Sequence, residues 1–107
     1  MMMQLPPPPY YAVIFTSKNP HPTEAYQQLA TEMVELAEQQ PGYLSHESYR
    51  NADGAGCTIS YWTTTEAIKN WKNHSDHQIA QKMGKEQFYE EYIVRIAKVE
   101  RQYTFST

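Results

Sequence analysis

The segment WKNHSDHQIAQ, residues 71–81, places a tryptophan and two histidines at three-residue intervals. Histidine changes its charge near neutral pH, so it is a frequent general base or acid in active sites. Tryptophan offers a flat apolar surface against which an aromatic ring can stack. Trp71, His74 and His77 could therefore form an acid–base site for an aromatic substrate, part of a metal site, or the exposed surface of a helix.

A metal site is the least favoured of these interpretations. The two histidines supply two ligands, whereas zinc sites in proteins use three or four protein ligands. A complete set with a third and a fourth ligand of suitable type is not evident in the sequence. The sequence therefore predicts no bound metal.

Length and composition set further bounds. A chain of 107 residues is enough for one domain. The net charge of −3 and the lack of a basic block argue against nucleic acid as a partner.

The apolar runs are too short to span a membrane. Cys57 is the one cysteine, so the chain cannot form an intramolecular disulfide, and we expect a cytoplasmic protein.

The first residues, MMMQLPPPPYY, contain four consecutive prolines, which favour an extended backbone without internal hydrogen bonds. They lack the basic and apolar regions of a signal peptide. We predict a flexible Pro-rich leader over residues 1–9 and a single domain over residues 10–107.

The first half of that domain predicts a strand and a helix. Residues 10–17, YYAVIFTS, are β-branched and aromatic, and both alternating faces of this strand are apolar. Thr23 is a suitable N-cap for an amphipathic helix, which Pro41-Gly42 ends.

The second half predicts three strands and a helix. Residues 43–50 and 57–62 form a hairpin around Asp53-Gly54, a strong turn signal. Residues 86–92, EQFYEEY, suggest another helical turn, and residues 93–105 predict a long final strand.

The predicted helix between these strands contains two capping patterns. Thr63 with Glu66 has the spacing of a capping box, and Ser75 with Gln78 repeats it. We therefore predict a helix, a kink and a second helix, which Gly84 ends.

The kink would decide which histidine faces the protein interior. On one continuous helix, His74 lies about 60° from Trp71, and His77 lies about 60° further round. A new helix start after His74 would free that residue to turn inward and would leave His77 more exposed. If the protein is an enzyme, His74 is therefore the predicted catalytic base, with Trp71 and His77 as predicted substrate contacts; the alternative is that both histidines belong to the exposed surface of the helix.

The predicted element order, β–α–β–β–α–β, is that of the α+β ferredoxin-like fold, in which helices cover one face of a four-stranded antiparallel sheet. The first strand is apolar on both faces and needs cover on the other side as well. A second copy of the chain is the simplest cover, so we predict a homodimer packed sheet against sheet.

Four stretches, PGYLSHES, GCTISYW, AIKNWKNHSDHQIAQ and FYEEYIVRIAKVER, resemble the antibiotic biosynthesis monooxygenase family in the family's order. The resemblance covers residues 10–103 and implies a dimeric α+β barrel. It implies a pocket between the sheet and the helices, and Trp71 matches the tryptophan that forms a wall of that pocket.

The cofactor-free members of this family imply an activity in which O₂ oxidises a small phenol or quinol. The substrate then supplies the electrons, and the protein holds the substrate, removes a proton and excludes water. The absence of GxGxxG and CxxC motifs is compatible with an enzyme that needs no cofactor.

Two alternatives stay open. One is a non-catalytic dimer of the same fold that binds a small molecule. The other is the haem-degrading branch of the family, which uses an asparagine in the first strand and a histidine about ten residues after the helix tryptophan. Here the first strand has no asparagine and Gln81 lies near the ligand position, so this branch is the poorer match.

Overall fold

The computed structural model describes residues 5–19, 21, 23–83 and 91–107, and only the backbone of residues 79–83. The elements in chain order are β1 (Tyr10–Lys18), α1 (Glu24–Glu38), β2 (Tyr43–Arg50), β3 (Ala55–Trp62), α2 (Thr65–Met83) and β4 (Glu91–Val99). The strands form one antiparallel sheet in the order β2-β3-β1-β4. This architecture confirms the predicted α+β ferredoxin-like class.

Both helices contact the same face of the sheet. Trp71 of α2 stacks on Trp62 of β3, and Tyr26 of α1 accepts a hydrogen bond from Arg50 of β2. We call this side the helix-covered face. The opposite side, which carries Tyr10 and the alternate residues that follow it in β1, is called the open face.

One end of the open face is covered by residues outside the strands. Tyr10 and Ala12 are only 3% and 4% exposed. The ring of Tyr10 packs edge-on against Tyr61, and its hydroxyl donates to the side chain of Gln102. The amide of Gln102 in turn donates to the carbonyl of Pro6, at 3.4 Å. Segments before β1 and after β4 therefore meet over this end.

β4 is an edge strand and ends earlier than predicted. It stops at Val99, and Tyr103 and Phe105 beyond it are highly exposed. The reason lies in the register, because Val99 pairs with Tyr10, the first residue of β1, and no partner residue of β1 remains. Several apolar side chains of the strand are also exposed: Tyr92, Ile93, Val94 and Ile96.

The predicted turns and first cap are confirmed. The Thr23 hydroxyl accepts from the Tyr26 amide at 3.1 Å and caps α1. The hairpin turn is closed at Asp53, whose carboxylate accepts from the Ala55 amide, and Gly54 adopts a φ of 94°. β3 begins at Ala55, two residues earlier than predicted.

The N-cap of α2 is Thr64, not Thr63. The Thr64 hydroxyl accepts from the Ala67 amide at 3.0 Å, in the geometry of an N-cap. Thr63 instead continues the strand's contacts, because its amide donates to the carbonyl of Gly42 at 2.9 Å. The predicted capping box was therefore placed one residue too early.

The predicted kink in this helix is wrong. α2 runs without a break from Thr65 to Met83. The Ser75 hydroxyl donates back to the Lys72 carbonyl at 3.1 Å, as serines inside helices often do. Lys72 also pairs with Asp76 at 2.8 Å, an i,i+4 ion pair across the expected break.

Some predictions around the end of α2 fall on residues 84–90, which lie outside the described part of the chain. The helix stop at Gly84 and most of the predicted helical turn stay predictions for this reason. Glu91 and Tyr92, the last residues of that predicted turn, belong to β4 instead.

Candidate functional site

A group of aromatic rings fills the helix-covered face at the end of β3. Trp62 is 0% exposed, and its indole N–H donates to the Ser60 hydroxyl at 2.9 Å. Trp71 stacks on it with ring centroids 6.2 Å apart and an interplanar angle of 24°. Tyr43 meets the same indole edge-on at 5.6 Å. Trp62 therefore fixes the positions of two further rings.

His74 lies beside this aromatic group. Its ring centroid is 5.9 Å from that of Trp71. Its Nε2 atom is buried, and none of the described residues makes a hydrogen bond to it. A buried polar atom without a hydrogen-bond partner reduces the stability of the folded state by about 1–3 kcal/mol, so such atoms are uncommon in proteins. An imidazole nitrogen in this setting can accept a proton from a bound hydroxyl group.

The continuous helix explains the order of burial in the predicted site. His74 lies about 60° round the axis from Trp71, and His77 about 60° further. Trp71 and His74 are accordingly half-buried, whereas His77 is exposed. The structure thus brings His74 to Trp71 without the predicted kink, and places His77 toward the outer rim of this surface.

A β-bulge creates a second polar pair that the sequence analysis did not anticipate. The pairing of β2 with β3 shifts between Tyr43 and Ser45. Residues three apart on a regular strand lie on opposite faces. Here the Tyr43 hydroxyl and the Nδ1 atom of His46 are 2.6 Å apart on the helix-covered face. Burial, and then the charge of Glu38, raises the pKa of Tyr43 above its ordinary value.

The open face carries a different polar group centred on Glu47. The Tyr61 hydroxyl donates to one carboxylate oxygen at 2.8 Å, and the Tyr49 hydroxyl donates to the other at 3.2 Å. Burial, and then the bond to Glu47, raises the pKa of Tyr61. Arg50 lies on the other face and donates a hydrogen bond to the Tyr26 hydroxyl at 2.9 Å, so it does not pair with Glu47.

An open cleft of about 230 Å³ lies elsewhere, between the turn before β2 and the start of α2. It is lined by Gln40, Pro41, Gly42, Thr63, Thr64, Glu66, Ala67 and Asn70. None of the predicted site residues lines it, and its lining contains no histidine. We therefore place the candidate site at Trp71 and His74.

Within the part of the chain that the structure describes, no three His, Cys, Asp or Glu side chains come together as metal ligands. No helix there has the length and apolar character needed to cross a membrane.

These features define a ferredoxin-like α+β protein in which the imidazole of His74 lies beside the indole of Trp71 on the helix-covered face of its sheet. The sequence profile described as antibiotic biosynthesis monooxygenase matches residues 9–83. The chain belongs to this family. It is 48% identical over 104 residues to Uncharacterized protein YqjZ of Bacillus subtilis (strain 168), covering 97% of this chain and 91% of that protein.

Solved structures share the fold at low sequence identity. SnoaB, a cofactor-independent oxygenase from Streptomyces nogalater, superimposes with a TM-score of 0.64 at 12% identity, covering 94% of this chain and 100% of that chain. A monooxygenase from the gene ActVA-Orf6 of Streptomyces coelicolor, in complex with the ligand Nanaomycin D, gives a TM-score of 0.66 at 13% identity, covering 92% and 94%. At such identities the likeness establishes the fold alone.

Proposed function

We propose that this protein is a monooxygenase that needs no cofactor and oxidises a small phenol or quinol with O₂. The observation that carries the proposal is the buried Nε2 of His74, which has no hydrogen-bond partner among the described residues and lies next to the ring of Trp71. Family membership supports it, as does the shared fold with a cofactor-independent oxygenase.

The residues have separate tasks in the proposed reaction. The ring of Trp71, held against Trp62, stacks on the aromatic substrate. His74 Nε2 accepts the proton of the substrate hydroxyl, because a neutral imidazole is a suitable base near neutral pH. His77 contacts the outer edge of the substrate.

Deprotonation makes the substrate electron-rich enough to donate electrons to O₂. For a phenol with a free para position, the balanced reaction consumes one phenol and one O₂ and yields one quinone and one water. One oxygen atom forms the new carbonyl, and the other leaves as water with two hydrogens from the substrate. The substrate is thus the only reductant.

We further propose that the working unit is a homodimer in which a second copy covers the open face. Ile14 and Ile59 in the middle of this face, and the exposed Ile93 of β4 on the same face, support this arrangement. Sedimentation at micromolar concentration should give twice the chain mass of 12.5 kDa. A single species at the monomer mass would reject the dimer. A cytoplasmic location stays a prediction from the sequence.

The activity is tested by incubating the protein with a panel of phenols and quinols without oxygen and then adding air. We expect O₂ uptake with at least one compound, and one labelled atom in its product when isotopically labelled O₂ is used. A compound that binds tightly but causes no O₂ uptake would favour the non-catalytic alternative.

Titration with haemin tests the haem-degrading alternative. We expect only a weak spectral change that does not saturate, because Gln81 stands near the position of the family's haem ligand. A sharp one-to-one Soret shift that His77→Ala abolishes would favour haem binding instead.

A further inference from the structure

One row of aligned side chains on the open face carries a charge at each end. The strand register aligns four residues across the sheet in the order Glu47, Ile59, Ile14 and Arg95. The two neighbouring rows that also cross all four strands contain no Asp, Glu, Lys or Arg; they are Ser45–Tyr61–Ala12–Ala97 and Tyr49–Cys57–Thr16–Ile93. The row is therefore acidic on β2, apolar in the middle and basic on β4.

The two charges of this row cannot meet within one chain. Three strand spacings separate Glu47 from Arg95, which is about 14 Å. Neither residue makes an ion pair with another described residue. Arg95 is exposed, whereas Glu47 is half-buried and holds its two tyrosine hydroxyls.

A second copy can cover this face with two-fold symmetry in two simple ways. If the axis runs parallel to the strands, the strand order is reversed, so β2 lies over the partner's β4 and β3 over its β1. Glu47 then faces Arg95 of the partner subunit, twice, with the isoleucines between them. If the axis runs across the strands, each strand lies over its own copy. Glu47 then faces the partner's β2, whose open-face residues include no cation, and it faces Glu47 of the partner subunit when the axis passes through this row.

Electrostatics separates the two arrangements. A carboxylate that an interface removes from water needs a cation and hydrogen bonds to offset the loss of hydration. Glu47 already has two phenol donors, and a guanidinium can bind the remaining lone pairs in two-pronged geometry. Packed sheets lie about 10 Å apart, a gap that Glu and Arg side chains can bridge together. Like charges face to face are strongly unfavourable.

We infer that a second copy of this chain docks on the open face with its two-fold axis parallel to the strands, joined by two symmetric Glu47–Arg95 ion pairs. This inference rests on the proposed homodimer and specifies its geometry. Because the row is acidic at one end and basic at the other, its charges are complementary to those of a second copy only when the strand order of the two sheets is reversed. The tyrosines hold the carboxylate in place for its partner.

Charge reversal tests the pairing. Arg95→Glu and Glu47→Lys should each weaken the dimer by at least about tenfold in Kd, measured by sedimentation, because each places like charges opposite one another. Mixing the two variants should give a heterodimer in native mass spectrometry, since both pairs are then opposite in sign. The double variant should dimerise with itself again.

Lys98→Glu is the matched control for Arg95→Glu. Lys98 lies on the same strand, and its register partner Tyr11 places it on the helix-covered face. The change in net charge is identical, yet dimerisation should not change. Glu47→Gln keeps an acceptor for the tyrosines, which separates loss of the charge from damage to the fold; circular dichroism checks the fold of each variant.

The outcomes distinguish the two levels of the proposal. A wild-type monomer would reject the homodimer itself. A wild-type dimer whose Kd is unchanged in Arg95→Glu would reject the ion pair and leave the homodimer standing. Failure of the mixed variants to form a heterodimer would also overturn the pairing.

Discussion

Trp71 stacks on Trp62 at 6.2 Å, so the end of β3 and the second turn of α2 form one aromatic unit. Trp62 is fully buried and anchored through its N–H to Ser60, which leaves it little freedom to move. Trp71 therefore presents a fixed surface, and His74, one turn further along the helix, has a defined position relative to it. Such rigid support is what a positioned general base requires.

Replacing His74 by alanine tests the proposed base. With a compound that is turned over, we expect the O₂-dependent rate to fall by roughly a hundredfold or more, because a positioned general base contributes that much. Thermal stability should change little or rise slightly, because the buried nitrogen that is removed has no hydrogen-bond partner among the described residues. The measurements are initial rates of O₂ uptake and a thermal melt.

His77→Ala is the internal control for this experiment. His77 lies on the same helix but is exposed, so its loss should lower the rate much less. Equal rates in the two variants would show that neither histidine acts as the base. Both would then be surface residues, and Trp71 would serve only to pack the helix on the sheet.

Replacement of two hydroxyl residues of α2 by alanine should have different effects on the free energy of unfolding. Thr64→Ala should reduce the free energy of unfolding by about 1 kcal/mol, because Thr64 is the N-cap. Ser75→Ala should leave stability unchanged or raise it by a few tenths of a kcal/mol, since alanine favours the helix interior. Urea denaturation of both variants measures this. A larger loss of unfolding free energy in Ser75→Ala than in Thr64→Ala would instead support the prediction that Ser75 caps a second helix.

The sequence predicted the fold well because its signals were local and mutually consistent. Residues 43–50 are the strand that the pattern indicated, and Thr23 caps its helix as expected. The final strand was predicted too long because its end depends on where β1 begins, which only the pairing of Tyr10 with Val99 reveals. A Ser-x-x-Gln pattern also cannot show whether a serine begins a helix or lies inside one.

The site was predictable only in part, for the same physical reason. Trp71 and His74 are neighbours on one helix, so periodicity sufficed to place them together. Tyr43 and His46 meet because of a β-bulge, and Glu47 on β2 meets Tyr61 on the neighbouring strand β3. Both depend on register, which a single sequence does not specify.

Gly42 is needed where the turn before β2 meets α2. Its φ of 87° is unfavourable for other residues, and a Cβ atom there would lie 2.6 Å from the Ala67 Cβ and 2.9 Å from the Thr63 hydroxyl oxygen. Gly42→Ala should therefore lower the free energy of unfolding by about 2 kcal/mol or more. Thermal or urea denaturation provides the measurement, with Gln40→Ala nearby as the control; equal stability in both variants would contradict the tight approach.

The raised pKa of Tyr61 predicts a loss of stability at alkaline pH. Its ordinary pKa is 10.0, and burial together with the bond to Glu47 holds the folded value higher. Below about pH 10 both states keep the proton, but at higher pH only the unfolded chain releases it, so unfolding becomes more favourable as pH rises. In Tyr61→Phe this contribution is absent, and the decline in the free energy of unfolding between about pH 9 and pH 11 should be shallower than in the wild type. Tyr103→Phe, at a residue 85% exposed, should keep the wild-type decline. Urea denaturation across this pH range measures the slopes, and equal slopes for Tyr61→Phe and the wild type would show that folding does not raise the pKa of Tyr61.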